Sequence, residues 1–274
     1  MAAAGASRDA ARWIARPRRS PVAIPGLLIL GAALGWELIG RTGLFVPDLF
    51  PSWAAIGRAF WLHVSTPVLL PHLAASLYEV GGGVVIGAVL GIPVGLAVGS
   101  RPALIAVAEP LILYLAVIPK IIVLPVFILF LGIGVHSKLA VGALAAFFPI
   151  SLLTMAGMRE VKPVYLAVAR GVGATRWKIT TRVYLPAVTA YIVGGLRIGL
   201  GAAVTGALLA ETKLAQAGLG FLAISYYGQF RIAEMYSLFL VIFLIAAAIN
   251  GALSCLLGRL TPHRRVSAEP GLFF

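Results

Sequence analysis

Charge is what this sequence has least of. Asp and Glu number 9 in 274 residues and charged residues of all kinds make up 11%, against 61% hydrophobic, whereas a soluble domain carries about a quarter charged residues. A fully solvated globular surface is thereby excluded. Cysteine occurs once, at Cys255, so no disulfide can close within the chain and the redox compartment stays unread. The four histidines, His63, His72, His136 and His263, lack the close spacings of zinc ligands, and no metal site is expected. Neither His-Glu-x-x-His nor Gly-x-Ser-x-Gly occurs, and no acid–base pair stands out. The chain offers no footing for an enzyme, and no cofactor is expected.

What the sequence has in abundance is long apolar runs. A helix crossing a bilayer needs about 20 mostly apolar residues, because each backbone N–H and C=O must find its partner inside the segment. Six such segments are expected, over about 22–39, 77–99, 103–131, 139–158, 187–210 and 235–257. The fold class is therefore an all-α membrane protein of about six transmembrane helices. The third segment is too long for one straight crossing, and Pro110, Pro119 and Pro125 each remove a helix hydrogen bond, which predicts a kinked or broken span. Between the first two spans, Pro47, Pro51, Pro67 and Pro71 mark a connection with one short surface helix at 53–61.

The formal net charge of +13 suggests a nucleic-acid binder at first sight. Its distribution argues otherwise, because the cations sit at the ends of apolar runs rather than on one soluble face. Lys and Arg collect on the cytoplasmic side of membrane proteins. With the N-terminus inside, that side holds fifteen: Arg8, Arg12, Arg16, Arg18, Arg19, Arg101, the six of the 159–182 loop, and Arg259, Arg264 and Arg265. Five fall opposite: Arg41, Arg58, Lys138, Lys213 and Arg231. Both termini are expected in the cytoplasm, with a basic arm at 1–21, a membrane domain at 22–258 and a tail at 259–274. The first apolar run lacks a small-x-small cleavage site and reads as a retained anchor.

Small residues recur every four positions at Gly83, Gly87, Gly91, Gly95 and Gly99, and again at Gly195, Gly199 and Ala203. Each set marks one helix face where another backbone comes close. Such stripes speak of packing and specify no activity.

The long polar interruption at 159–186 is more informative. Pro163 suits a first helical turn, Gly171 and Gly173 stop that helix, and Thr175 caps a second one carrying Trp177, Thr181 and Tyr184 on one side. Arg176, Lys178 and Arg182 reach water or headgroups, so a basic loop resting on anionic lipid competes with a rigid knob that a partner grips.

Gly173, nine residues, then Val183-x-Leu185-Pro186 resembles the cytoplasmic signature of bacterial ABC-importer permeases, Glu-Ala-Ala, three residues, Gly, nine residues, Ile-x-Leu-Pro. Ala169 fits the second alanine, while Ala167 stands where the family has glutamate and Val168 where it has the first alanine. Ala75-Ser76-Leu77, Ile118-Pro119-Lys120, Leu131-Gly132-Ile133-Gly134, Phe148-Pro149-Ile150, Gly195-Leu196-Arg197 and Glu211 with Ala217-Gly218-Leu219-Gly220 look like the nitrate/sulfonate/taurine branch. The resemblance runs from about 50 to 257. It implies a type I ABC-importer-like permease in a bacterial inner membrane, a non-catalytic subunit that carries a small anionic solute. It also implies a second permease copy as a homodimer, a cytoplasmic ATPase dimer and an extracytoplasmic substrate-binding protein. None of the five lysines follows a glycine, so the phosphate-binding Gly-Lys-Ser/Thr loop is missing and ATP is hydrolysed on a partner chain.

By the same resemblance, Pro163, Leu166, Ala167, Ala169, Arg170, Gly171, Gly173, Ala174, Arg176, Trp177, Leu185 and Pro186 form the ATPase-coupling loop. Charges inside spans are costly and face a cavity or a partner, which makes Lys120, beside Pro119, and Arg197 and Glu211 the candidate pathway residues. Lys120 has Glu109 as an alternative partner, three turns away, and Arg197 has Glu211. An ion-coupled secondary transporter is the alternative function. It needs carboxylates near the bilayer midplane, and Glu37, Glu79 and Glu109 are expected near span ends.

Overall fold

The computed structural model describes residues 23–42 and 49–260. The basic arm, Pro47, Arg264 and Arg265 lie outside them. The chain divides into two compact units, Met1–Gly57 and Arg58–Phe274.

In the first unit, helix α1 (Ala23–Thr42) is the expected first apolar span. Its polar end is tied by aromatic donors: Trp36 Nε1 donates to the Pro51 carbonyl at 3.0 Å and Trp53 Nε1 to that of Ala33 at 3.0 Å. The Trp53 N–H and Arg41 both donate to Glu37, at 3.1 and 2.9 Å. Tryptophans so placed suit a membrane–water boundary, where one edge is apolar and the other needs a partner. The unit boundary falls inside helix α2 (Trp53–Ser65).

The second unit continues with α3 (Leu69–Gly99), α4 (Pro102–Val117), a 3₁₀ turn at Lys120–Val123, and α5 (Leu124–Leu131). After these come α6 (Val135–Arg159), α7 (Pro163–Gly171), the single turn α8 (Arg176–Ile179), a π turn at Thr180–Tyr184, α9 (Leu185–Leu214), α10 (Leu219–Gly228) and α11 (Ile232–Leu260). Among the described residues of the chain, five helices are long and apolar enough to cross a membrane. A sixth crossing is reached if α4 and the segment Lys120–Leu131, bent by 87°, form one broken span.

The break lies at Ile118-Pro119, both extended. A residue before proline is pushed out of the helical region, so Pro119 ends α4 where Pro110, inside it, does not. The second span begins eight residues earlier than the apolar run predicts, at Leu69. Pro71 falls in its first turn, where the missing N–H has no helical partner to lose. This moves Glu79 ten residues, about 15 Å, into the span, away from the end where it is expected. Nor does Leu185-Pro186 end the helix that begins at Arg176. The π turn at Thr180–Tyr184 takes up the proline and the helix runs on as the fifth span.

Packing follows the small residues. A methyl group added at Gly87 would meet Ala146 Cβ at 2.7 Å, at Gly95 Thr154 Cβ at 2.6 Å and at Gly99 Met158 Cβ at 2.6 Å. Helices α3 and α6 therefore run parallel, backbone to backbone. Gly195 approaches Ile150 and Gly206 approaches Ala145, so α9 lies antiparallel on another face of α6. In lipid such contact rests on van der Waals fit rather than on escape from water. Around the seam, Val80, Ala146, Ile150, Leu200, Ala203 and Ala207 form the central apolar cluster. Its geometry puts the ends at Gly99, Arg159 and Leu185 together, and those at Leu69, Val135 and Leu214 together at the opposite end.

Candidate functional site

The polar knob rises from the first of these ends. Lys162 is extended and Pro163 takes the first position of α7. The helix closes with the Gly173 N–H on the Arg170 carbonyl at 2.9 Å and the Ala174 N–H on that of Ala169 at 3.0 Å. This is the paired closure that requires a left-handed residue, and Gly173 supplies it with φ +71°. Thr175 then caps α8 by accepting from the Lys178 N–H at 3.4 Å. Val164, Tyr165, Val168, Val172 and Trp177 are all more than half exposed. Ala167, Arg170, Arg176 and Lys178 are exposed as well, while Leu166, Ala169, Ala174 and Leu185 are half-buried toward the body. The result is an apolar stripe with a basic rim. At its root Arg159 pairs with Glu109 of α4.

The helix break builds a second feature. Pro119 and Lys120 line a cleft of about 500 Å³ with Ala116, Phe148, Thr205 and Leu209. The Lys120 ammonium donates to the Ala116 carbonyl freed by the break and lies 5.1 Å from the centre of the Phe148 ring. Its partner is not Glu109, which Arg159 takes. Phe148 stands midway along α6, so this cation sits at mid-depth in the bundle. Arg197 is exposed in a different cleft, of about 350 Å³, with Gly201, Phe243 and Asn250.

Glu211 belongs to neither cleft. It is fully buried and accepts from the Ser76 hydroxyl at 2.6 Å and the Gly220 N–H at 2.6 Å, which leaves it no role as partner to Arg197. Beside it, Glu79 is also fully buried and pairs with Lys138, 5% exposed, whose ammonium lies 3.4 Å from the Ala217 carbonyl. The sequence reading missed this group and set Lys138 on the outer flank. A legible signal existed: Glu79 continues the Gly83–Gly95 stripe by one step, and Glu211 continues Gly195, Gly199 and Ala203 by two. Both therefore lie on packed faces.

A third polar group joins α2, α10 and α11. His63 is 3% exposed and meets the Tyr226 hydroxyl at 3.0 Å through Nε2 and Ser237 Oγ at 2.7 Å through Nδ1. Ser237 already donates to the Glu234 carbonyl at 2.9 Å, so its oxygen accepts from His63 Nδ1–H and Nε2 accepts from Tyr226. Burial lowers the His63 pKa below its ordinary value, chiefly through lost hydration, and raises that of Tyr226. Among the described residues no three His, Cys, Asp or Glu side chains gather as a metal ion would require.

The family model of binding-protein-dependent transport system inner membrane components matches residues 83–266. A taurine transport system permease protein of Escherichia coli K12 is 35% identical over 195 residues, 71% of this chain and 70% of that one. A formylaminopyrimidine transport permease protein of Halalkalibacterium halodurans is 29% identical over 241 residues, 88% and 96% of the two chains. Among solved structures, an inward-facing conformation of the MetNI methionine ABC transporter is similar with a TM-score of 0.64 at 22% identity. That match covers 70% of this chain and 96% of the other and speaks for the fold.

Proposed function

The chain belongs to the family of binding-protein-dependent transport system inner membrane components, the permease subunits of ABC importers, and from that premise we propose that its solute passes Lys120 while the knob at Pro163–Trp177 is gripped by a separate ATPase. The observation that carries the reading is the knob itself: an apolar stripe held out on a helix whose end is fixed by Gly173. An apolar face outside the membrane domain calls for a covering surface. Its rim of Arg170, Arg176 and Lys178, with Ala167 where the family carries glutamate, suits a groove with an apolar floor and acidic edges. Movement of that groove passes through α6 and α9, which leave the knob as long helices, to the clefts they line.

The one cation at mid-depth in the Lys120 cleft favours a small anionic solute. A low-dielectric wall strengthens its field, and the break at Pro119 leaves the ammonium anchored on a carbonyl rather than neutralised by a carboxylate. A sulfonate suits this charge, as in the taurine relative. The open side of the cleft is closed by a second copy of the chain, as a homodimer in a bacterial inner membrane with both termini cytoplasmic, and an extracytoplasmic binding protein delivers the solute to the far mouth. The test is uptake into proteoliposomes holding permease, ATPase and binding protein. Lys120→Gln lowers anion uptake by about tenfold or more with assembly intact, while Lys120→Arg keeps most of it. Unchanged uptake by Lys120→Gln removes the cleft from the pathway.

A further inference from the structure

At the end of the bundle away from the knob, one buried cluster carries more negative charge than its own members neutralise. Glu79 of α3, Lys138 of α6 and Glu211 of α9 meet there, all buried, and the two carboxyls face one another. Two carboxylates and one ammonium leave a surplus of one negative charge. Neighbouring groups do not supply the balance. His72 uses Nδ1 to accept from the Gly218 N–H at 3.2 Å, Ser76 donates to Glu211, and α5 packs nearby with apolar side chains alone. Both Glu211 oxygens already accept from neutral donors, the Ser76 hydroxyl and the Gly220 N–H. Beyond the Lys138 ammonium, Glu79 accepts no hydrogen bond through either oxygen. Ionised, it has the Lys138 ammonium as its one partner among the described residues and stands beside a second carboxyl. Protonated, it becomes the donor that faces Glu211.

We propose that this cluster is a binding site for one proton, carried by Glu79 and donated toward Glu211, which makes the junction of three spans electroneutral. The site also fastens the turn into α10: Lys138 faces the Ala217 carbonyl, Ser76 accepts from the Leu219 N–H at 2.8 Å and Glu211 from that of Gly220. Gly218, at φ +123°, leaves no room for a side chain beside the Glu211 carboxyl. The proton therefore locks the outer turn to the core, whatever the solute or the motor.

The native chain then binds one proton more than the unfolded chain wherever a free glutamic acid is ionised, so stability falls as pH rises. The test is thermal unfolding of the full chain in nanodiscs from about pH 6 to about pH 9, with infrared spectra of the protonated carboxyl band. In the wild type the unfolding temperature declines across this range and the band is present at neutral pH. Glu79→Gln, which keeps the shape and the neutral form, removes both the slope and the band while folding is retained. Glu211→Gln, which puts an N–H₂ against a donor, destabilises at every pH. Lys138→Met destabilises, and adding Glu79→Gln does not rescue it, because the surplus charge then rests on Glu211. Parallel pH profiles for wild type and Glu79→Gln, or a wild-type spectrum without the band, overturn the proposal. The spectrum decides even if every variant fails to fold.

Discussion

At the scale of single residues, burial sets what each polar group does. His63 is neutral in its pocket because a charged ring there would lose its hydration, and its two nitrogens are already committed to Tyr226 and Ser237. Its folded pKa is depressed, so protons favour the unfolded state below the unfolded value of about 6.5. Stability is complete above that pH and declines as pH falls through the window beneath it. Melting curves of wild type and His63→Gln show this: the wild type loses stability on acidification below about pH 6.5, and the variant is less stable throughout but flatter over the same range. Equal acid slopes would rule His63 out as the source. Lys120 was legible as a cation within a span, because any charge inside an apolar run stands out. Its partner was not, since which carbonyl a chain break frees depends on the bend at Ile118-Pro119.

At the scale of elements, the small-residue stripes carried true packing information. Gly83, Gly87, Gly91 and Gly95 all meet α6, as their spacing demands. Gly95→Val would drive a branched side chain into Thr154 and the Ser151 carbonyl, costing about 1–3 kcal/mol or more. Gly81→Ala, where nothing lies within 4 Å, serves as the control. Thermal unfolding should separate the two, and equal melting would refute the close seam. At the knob, Gly173→Ala places a Cβ at φ +71° and costs about 1 kcal/mol. Hydrogen exchange should then speed up over 163–174 and stay unchanged in α6, whereas uniform exchange would mean that the left-handed corner does not hold the helix. Element ends were the least legible. Pro71 and Pro186 read as loop residues because proline usually stops helices, yet the first sits in a first turn and the second follows a π turn, places where a missing N–H is tolerated.

At the scale of the whole molecule, the spans, the broken third crossing and the family were readable because each rests on patterns local in sequence. The buried charge junction was not, since Glu79, Lys138 and Glu211 meet only when three helices align. The architecture that results places the knob at one end of α6 and the charge junction near the other, with Lys120 between them. Helix α6 spans about 37 Å, so one stiff element connects the exposed stripe to the cleft wall and to the far turn. A motor that moves the knob must then move the cleft.

The most direct measurement is ATP-driven anion uptake by proteoliposomes containing permease, ATPase and binding protein, with Val168→Asp and Trp177→Ser together in the knob. Both side chains are well exposed and neither supports the membrane core. The account predicts a permease that folds with wild-type melting, binds the ATPase at least about tenfold more weakly, since a buried Asp in the groove costs over 1.4 kcal/mol, and takes up little solute. Wild-type ATPase binding and wild-type uptake in that double variant would contradict it.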